Sequence, residues 1–216
     1  MRLHPGEPEA TGWRAMSVPD VIGRLRAAAP DVRERPLVVA IDGRGGAGKT
    51  TLAQWLRAAV PGSAVVHTDD VAWAHACFDW GALLAGHVLG PLHRGEAVDY
   101  RPDAWRVHGR AGSITVPAGA DTVWVEGTGI IRRELARSLA ASIWLQGDLD
   151  VQDRLLLARD GDSPGHLAQV ESWMREELPF LLQERPWAHA TMIVAGPPPA
   201  GSEPGDGLLV ADPVRS

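Results

Sequence analysis

The stretch Leu37-Val38-Val39-Ala40-Ile41-Asp42 is followed by Gly43-Arg44-Gly45-Gly46-Ala47-Gly48-Lys49-Thr50 and then by Thr51-Leu52-Ala53-Gln54-Trp55-Leu56. An apolar, β-branched run leads into a glycine-rich turn ending in Gly-Lys-Thr, and a segment of helical period follows. This is the pattern GxxxxGK[ST] in the strand-to-helix setting that a phosphate cradle needs. Gly43, Gly45, Gly46, Ala47 and Gly48 let successive backbone N–H groups curl around phosphate oxygens, and the helix beginning near Gly48 adds its positive end. Lys49 is expected to reach the β- and γ-phosphates. The Thr50 hydroxyl is expected to hold Mg²⁺, with Thr51 completing the cradle.

Of the 21 basic residues, twenty are arginine and one is lysine, and that lysine is Lys49. Arg and Lys often substitute for one another at exposed sites. A compact ammonium on a flexible stem in a phosphate cradle is not readily replaced by a planar guanidinium. Lysine has been retained where chemistry demands it.

The 216 residues, 45% of them hydrophobic, suffice for one sizeable α/β domain with a buried core. A net charge of −6 argues against a general nucleic-acid or membrane-surface binder, because phosphate backbones and anionic lipids repel an acidic surface. Cys77 is the single cysteine, so neither an intrachain disulfide nor a structural zinc cluster is available. No run of about 18 apolar residues occurs. These features lead us to expect a soluble, cytoplasmic protein, for which a homodimer is an allowed assembly.

Outward from the phosphate loop, Ser17 and Asp20 form a capping pair ahead of Val18, Val21, Ile22 and Leu25, which have helical spacing. The first strand is 37–42, and a helix from Lys49 to Ala59 stops at Pro61-Gly62. Residues 64–68 read as a second buried strand ending at Asp69-Asp70. A helical stretch covers 80–92, and a hairpin is expected between 105–108 and 113–116 through Gly109-Arg110-Ala111-Gly112. Thr122–Glu126 is the third strand, 132–139 a short helix, 141–145 the fourth strand, 151–158 a helix, 166–184 a longer helix carrying Pro179, and 191–195 the last strand. The remainder is rich in Pro and Gly with one apolar patch at 208–210, and reads as a loosely held tail. The span 71–120 is too long for an ordinary connection and suggests a substrate-covering insertion.

Strands alternating with helices predict a five-stranded parallel sheet with helices on both faces and a ligand crevice at its carboxyl ends. That topology gathers Asp69, Asp70 and Glu126 beside the phosphate loop. Asp69 is the candidate base for an acceptor hydroxyl, with Asp70 next to it on the acceptor side. Glu126 fits a Mg²⁺-associated carboxylate at the end of the third strand, a place that also suits a helix cap. Arg154 and Arg159, five apart after strand four, are placed to bring guanidinium groups over a transferring phosphate, with Arg110, Arg132 and Arg133 as weaker candidates. Trp73, Trp80 and Trp105 fall in the insertion, where each could stack on an acceptor or pack in the core. The eight histidines show no metal spacing.

At these residues the chain resembles the uridine kinase/phosphoribulokinase branch of P-loop kinases. The resemblance rests on Ile41-Asp42-Gly43 leading into Gly48-Lys49-Thr50-Thr51, on Thr68-Asp69-Asp70, on Val125-Glu126-Gly127, and on Tyr100-Arg101-Pro102-Asp103-Ala104-Trp105. It extends over about residues 36–195. It implies a P-loop NTPase fold and ATP- and Mg²⁺-dependent transfer of the γ-phosphate to a hydroxyl of a nucleoside or sugar-like acceptor. Asp69 would serve as base, and Asp103, with its neighbours Tyr100 and Trp105, as acceptor contacts. The chain departs from the family in having Asp70-Val71-Ala72 where an aromatic usually follows the aspartate, and in a shorter arginine lid.

The resulting division is 1–15 as a flexible lead, 16–195 as a P-loop kinase domain with 71–120 as its acceptor-binding insertion, and 196–216 as a tail. A switch GTPase would need an Asn-Lys-x-Asp motif, which a chain with Lys49 as its one lysine does not contain. The Ser-Gly-Gly signature of ABC-type ATPases is absent as well. Remaining alternatives are a kinase for another small metabolite or an antibiotic hydroxyl, and a nucleotide-binding module without transfer activity.

Overall fold

The computed structural model describes residues 1–29, 35–75, 77–161, 163–198 and 201–214. Strand β1 (Arg14–Met16) leads into helix α1 (Val18–Ala28), which starts at Ser17, whose Oγ accepts the Asp20 N–H at 3.2 Å. Strand β2 (Leu37–Gly43) runs through the phosphate loop into α2 (Lys49–Ala59), and β3 (Ala64–His67) passes directly into α3 (Thr68–Ala72). The insertion holds a helical run made of α4 (Gly81–Leu84), a π-helical turn over Ala85–Leu89, and α5 (Gly90–His93). The turn widens ahead of Pro91, which has no N–H, and the Gly90 N–H reaches back to Ala85. After β4 (Val98–Tyr100), α6 (Asp103–Val107) and β5 (Ile114–Val116) come β6 (Thr122–Glu126), a 3₁₀ turn at Ala136–Ser138, and β7 (Ala141–Gln146). Helices α7 (Leu149–Asp160), α8 (Pro164–Glu184) and α9 (Pro186–His189) precede β8 (Met192–Ala195), a 3₁₀ turn at Pro204–Asp206, and β9 (Leu208–Ala211).

The main sheet has seven strands in the order β1-β9-β8-β7-β2-β6-β3. Its inner five, β8 to β3, are parallel, as the alternation of strands and helices predicts. The expected total of five is corrected by β9 and β1, joined through antiparallel pairings of β9 with β8 and of β1 with β9. The apolar patch at 208–210 is therefore a strand within the sheet. A short strand cannot bury its own apolar side, and the open edge of β8 supplies both hydrogen bonds and a partner surface.

Period-two alternation assigns each side chain to a face of the sheet. Val38, Ala40, Val123, Val125, Trp144 and Ile193 join a core with Trp80, Leu84, Leu89, Leu181 and Trp187, on the side of α4, α5, α8 and α9. Val39, Ile41, Trp124, Ile143, Leu145 and Val194 face the other way, onto Val21, Leu25, Leu52 and Leu56 of α1 and α2. Helices thus cover both faces of the sheet.

Three local readings change. The lead is pinned: Ala10 N–H donates to Gln146 Oε1 at 2.8 Å, Trp144 Nε1 to Glu7 Oε1 at 2.6 Å, and Leu149 N–H to the Arg2 carbonyl at 2.9 Å. The expected hairpin at 105–116 is instead a helix, α6, while β5 pairs antiparallel with β4. Pro102 fixes an extended approach and Asp103 supplies the acidic first turn, which together start a helix where alternation suggested a strand. Over 132–139 the chain forms only the turn at Ala136–Ser138.

Candidate active site

The phosphate loop takes its shape from backbone conformations open to glycine. Gly46 has φ +73°, and a Cβ there would lie 2.5 Å from the Gln152 carbonyl oxygen. Gly48, at φ +88°, caps α2. Helix α7 therefore lies against the loop through Gln152, and Leu156 sits 3.1 Å from where a Gly45 Cβ would stand. From the other side, buried Arg44 donates from Nε to buried Glu177 of α8 at 3.2 Å, tying the loop to that helix.

Lys49 Nζ donates to the carbonyls of Gly43 and Arg44, both at 2.9 Å, and to Thr128 Oγ1 at 3.2 Å. Its three N–H groups thus close on two carbonyls of the loop and on one hydroxyl from the chain leaving β6. The Thr50 hydroxyl donates to Glu126 Oε1 at 2.9 Å, and His67 Nδ1 meets the same oxygen at 2.5 Å. Register explains the second contact, since His67 of β3 lies directly beside Glu126 of β6. Burial alone would raise the Glu126 carboxyl, but the His67 bond, the Lys49 charge and the Thr50 bond bring it below its ordinary range. The Glu126 bond in turn raises His67 against its desolvation.

Asp69 opens onto solvent on α3, yet enough protein surrounds its carboxyl to raise its pKa. Glu126 and Asp70 push the same way, while Lys49 and His67 oppose them, so Asp69 lies within electrostatic reach of the whole cluster. Beneath it, fully buried Asp42 accepts N–H groups from Gly43 at 2.7 Å, Gly129 at 2.9 Å and Ile131 at 2.8 Å. Desolvation outweighs those bonds and lifts Asp42 to about 6. Asp42 fixes the chain leaving β6 against the chain leaving β2.

The insertion borders this cluster through Trp105, whose Nε1–H donates to the Asp70 carbonyl at 2.9 Å. Trp105 is only 4% exposed, so the residue expected to contact an acceptor instead props α6 against α3. Trp80 is buried in the core under the Arg132 guanidinium. Trp73 remains partly exposed and meets His108 edge-on at 5.4 Å. Tyr100 stacks on His87 at 4.3 Å. The Asp103 side chain is 92% exposed and lies 3.5 Å from Arg106, turned to solvent rather than to a partner in the site. Asp70 Oδ1 accepts from Arg110 Nη2 at 2.5 Å. Arg154 and Arg159 stand exposed on α7, the helix against the phosphate loop.

The structure thus gathers Lys49, Thr50, Glu126 and Asp69 as the topology predicts, adds Asp42, His67 and Thr128, and brings Arg110, a weaker candidate in sequence, onto Asp70. His67 and Thr128 each lie two residues from a residue singled out in sequence, His67 before Asp69 and Thr128 after Glu126. Parallel strands ending level carry that proximity. Among the described residues, no group of three His, Cys, Asp or Glu side chains is arranged to hold a metal by itself, and no helix is long and apolar enough to cross a membrane. The residues nonetheless fit a Mg²⁺–nucleotide. A hydroxyl and an ionised carboxylate already share a proton donor and acceptor at the loop, and a Cβ at Gly46 would collide with the wall that the loop rests on.

No protein-family model matches the chain, and no curated protein sequence matches it. Solved structures do. A possible uridine kinase from Bacillus stearothermophilus matches over 81% of this chain and 98% of its own, at 18% identity and a TM-score of 0.53. D-glycerate 3-kinase from Cryptococcus neoformans var. grubii matches over 82% of this chain and 94% of its own, at 12% identity and a TM-score of 0.54. The chain shares the fold of these structures, a large, mostly parallel sheet with helices on both faces.

Proposed function

We propose that the protein is a small-molecule kinase that transfers the γ-phosphate of ATP, with Mg²⁺, to a hydroxyl of a nucleoside, a sugar-like compound or another small metabolite, and that it works in the cytoplasm. The observation that carries this reading is the convergence of Lys49, the Thr50–Glu126 pair and Asp69 at the carboxyl ends of β2, β6 and β3. A nucleotide-binding module would need the first three groups only.

Each residue has a task that its surroundings support. Beyond Gly43, whose N–H goes to Asp42, the loop's N–H groups and the start of α2 hold phosphate oxygens. Lys49 already sits among three oxygen acceptors and carries the charge that phosphate requires. Thr50 and Glu126 would hold Mg²⁺, which when bound supplies charge neutralisation on the phosphates. Asp69 accepts the proton of the acceptor hydroxyl as that oxygen bonds the γ-phosphorus and the bond to the departing ADP breaks. A carboxyl raised above its ordinary range is better matched to that proton transfer than an unperturbed one. Arg154 and Arg159, carried by α7, supply positive charge over the phosphates, and Trp73, Tyr100 and Asp70 border the acceptor.

Acceptor-dependent ADP release, measured with MgATP across a panel of nucleosides, sugars, hydroxy acids and hydroxylated antibiotics, tests the reading. At least one acceptor is expected to raise ADP release well above background, and Lys49→Ala to abolish it. ATP binding without acceptor-dependent ADP release from any panel member would favour the nucleotide-binding module instead.

A further inference from the structure

The insertion brings to the acceptor side a guanidinium held on several sides. Arg110 Nη2 donates to Asp70 Oδ1 at 2.5 Å, and its guanidinium carbon lies 3.7 Å from the Trp105 ring centre and 5.5 Å from that of Trp73. Its backbone is held too, because Arg101 Nη2 donates to the Arg110 carbonyl at 2.8 Å. Its position is therefore fixed by α3, α6 and the chain entering α6. Such a side chain has already lost its rotamer freedom, so a ligand that uses it loses little more entropy.

Arg110 is not sealed off by these contacts. Its side chain keeps 36% exposure while Trp105 beneath it keeps almost none. A guanidinium carries five N–H donors, and among the described residues only Nη2 has a hydrogen-bond partner. The fork geometry of the remaining donors matches a carboxylate or a phosphate. Two of the insertion's carboxylates, by contrast, are held by its own groups. Glu96 accepts from Arg94, Asp99 Oδ1 accepts from Ser113 Oγ, and Asp103 stands in solvent beside Arg106. A fixed, half-open cation thus stands beside the residue next to the base.

Resting on the kinase reading above, we propose that the acceptor carries an anionic group, a carboxylate or a phosphate, in addition to the hydroxyl that is phosphorylated, and that Arg110 is the residue that reads it. One N–H of Arg110 stays on Asp70, which keeps the guanidinium oriented. The free donors take the anion, and this offsets the repulsion that Asp69 and Asp70 would otherwise exert on a negative substrate.

Matched acceptors that differ only in charge test the assignment. One arm pairs hydroxy acids with their amides, and the other pairs phosphorylated sugars with the free sugars, each with MgATP and with the product identified by mass. The wild-type chain is expected to prefer the charged member of at least one pair by roughly tenfold to hundredfold in kcat/KM, and the arm in which this appears identifies the anion. Arg110→Gln should bring that ratio close to one, chiefly through KM, while Arg110→Lys retains part of it. Thermal melting of both variants monitors folding, and if Arg110→Gln does not fold, the wild-type ratio and Arg110→Lys decide. Transfer to neutral acceptors with no preference for charged ones overturns this inference and leaves the kinase intact. So does a loss in Arg110→Gln shared equally by both members of a pair. ATP binding without transfer to any acceptor overturns the kinase reading and this inference with it.

Discussion

Asp42 carries a charge where the fold tolerates it poorly. Its folded pKa of about 6 lies above the ordinary 3.8, so the native chain binds this proton more tightly than the unfolded chain does. Stability therefore falls as pH rises through that window, and above it the ionised group costs about 3 kcal/mol. Asp42→Asn keeps a carbonyl oxygen for the backbone N–H groups but does not titrate. In urea unfolding from pH 4 to pH 7, the wild type is expected to lose stability relative to the variant by up to about 3 kcal/mol, and curves that stay parallel would count against a raised Asp42. Such a residue is legible only in part. Its place at the end of the first strand is plain in sequence, but its three N–H donors come from Gly43, Gly129 and Ile131, and two of those belong to another strand's exit. Arg44 and Glu177, 133 residues apart, were beyond any local pattern.

Among the elements, β9 separates local propensity from tertiary context most clearly. Leu208-Leu209-Val210 is visible as an apolar patch in a stretch of Pro and Gly, but three residues do not reveal a partner. Paired between β8 and β1, the strand buries Leu208, Val210 and Ala211 and exposes Leu209. Val210→Ala is thus expected to cost about 2 kcal/mol by chemical denaturation. Leu209→Ala should cost less than about 0.5 kcal/mol. Equal effects would mean that this strand is not held in the sheet. Tertiary context likewise sets α6, from a segment that reads as half a hairpin, against α3, where the Trp105 Nε1–H donates to the Asp70 carbonyl at 2.9 Å. Elements with long runs and clear ends, β2, α2, β6 and β7, came through from pattern alone.

At the scale of the whole molecule, the phosphate-loop half of the candidate site is legible in sequence because each of its parts follows a buried strand. Parallel topology then brings Lys49, Asp69 and Glu126 together without any knowledge of side-chain contacts. The half of the candidate site built by the insertion is not legible there, since it is made by contacts across the insertion, such as Arg110 with Asp70, 40 residues apart. What unites the halves is the claim that Asp69 takes a proton while the phosphate loop holds the donor. The most direct measurement is single-turnover transfer of labelled γ-phosphate to the best acceptor, read together with ATP affinity, in wild type and Asp69→Asn. Asp69 as the base predicts near-normal ATP affinity and a transfer rate lowered by roughly two or more orders of magnitude in the variant. An unchanged transfer rate in Asp69→Asn would contradict it.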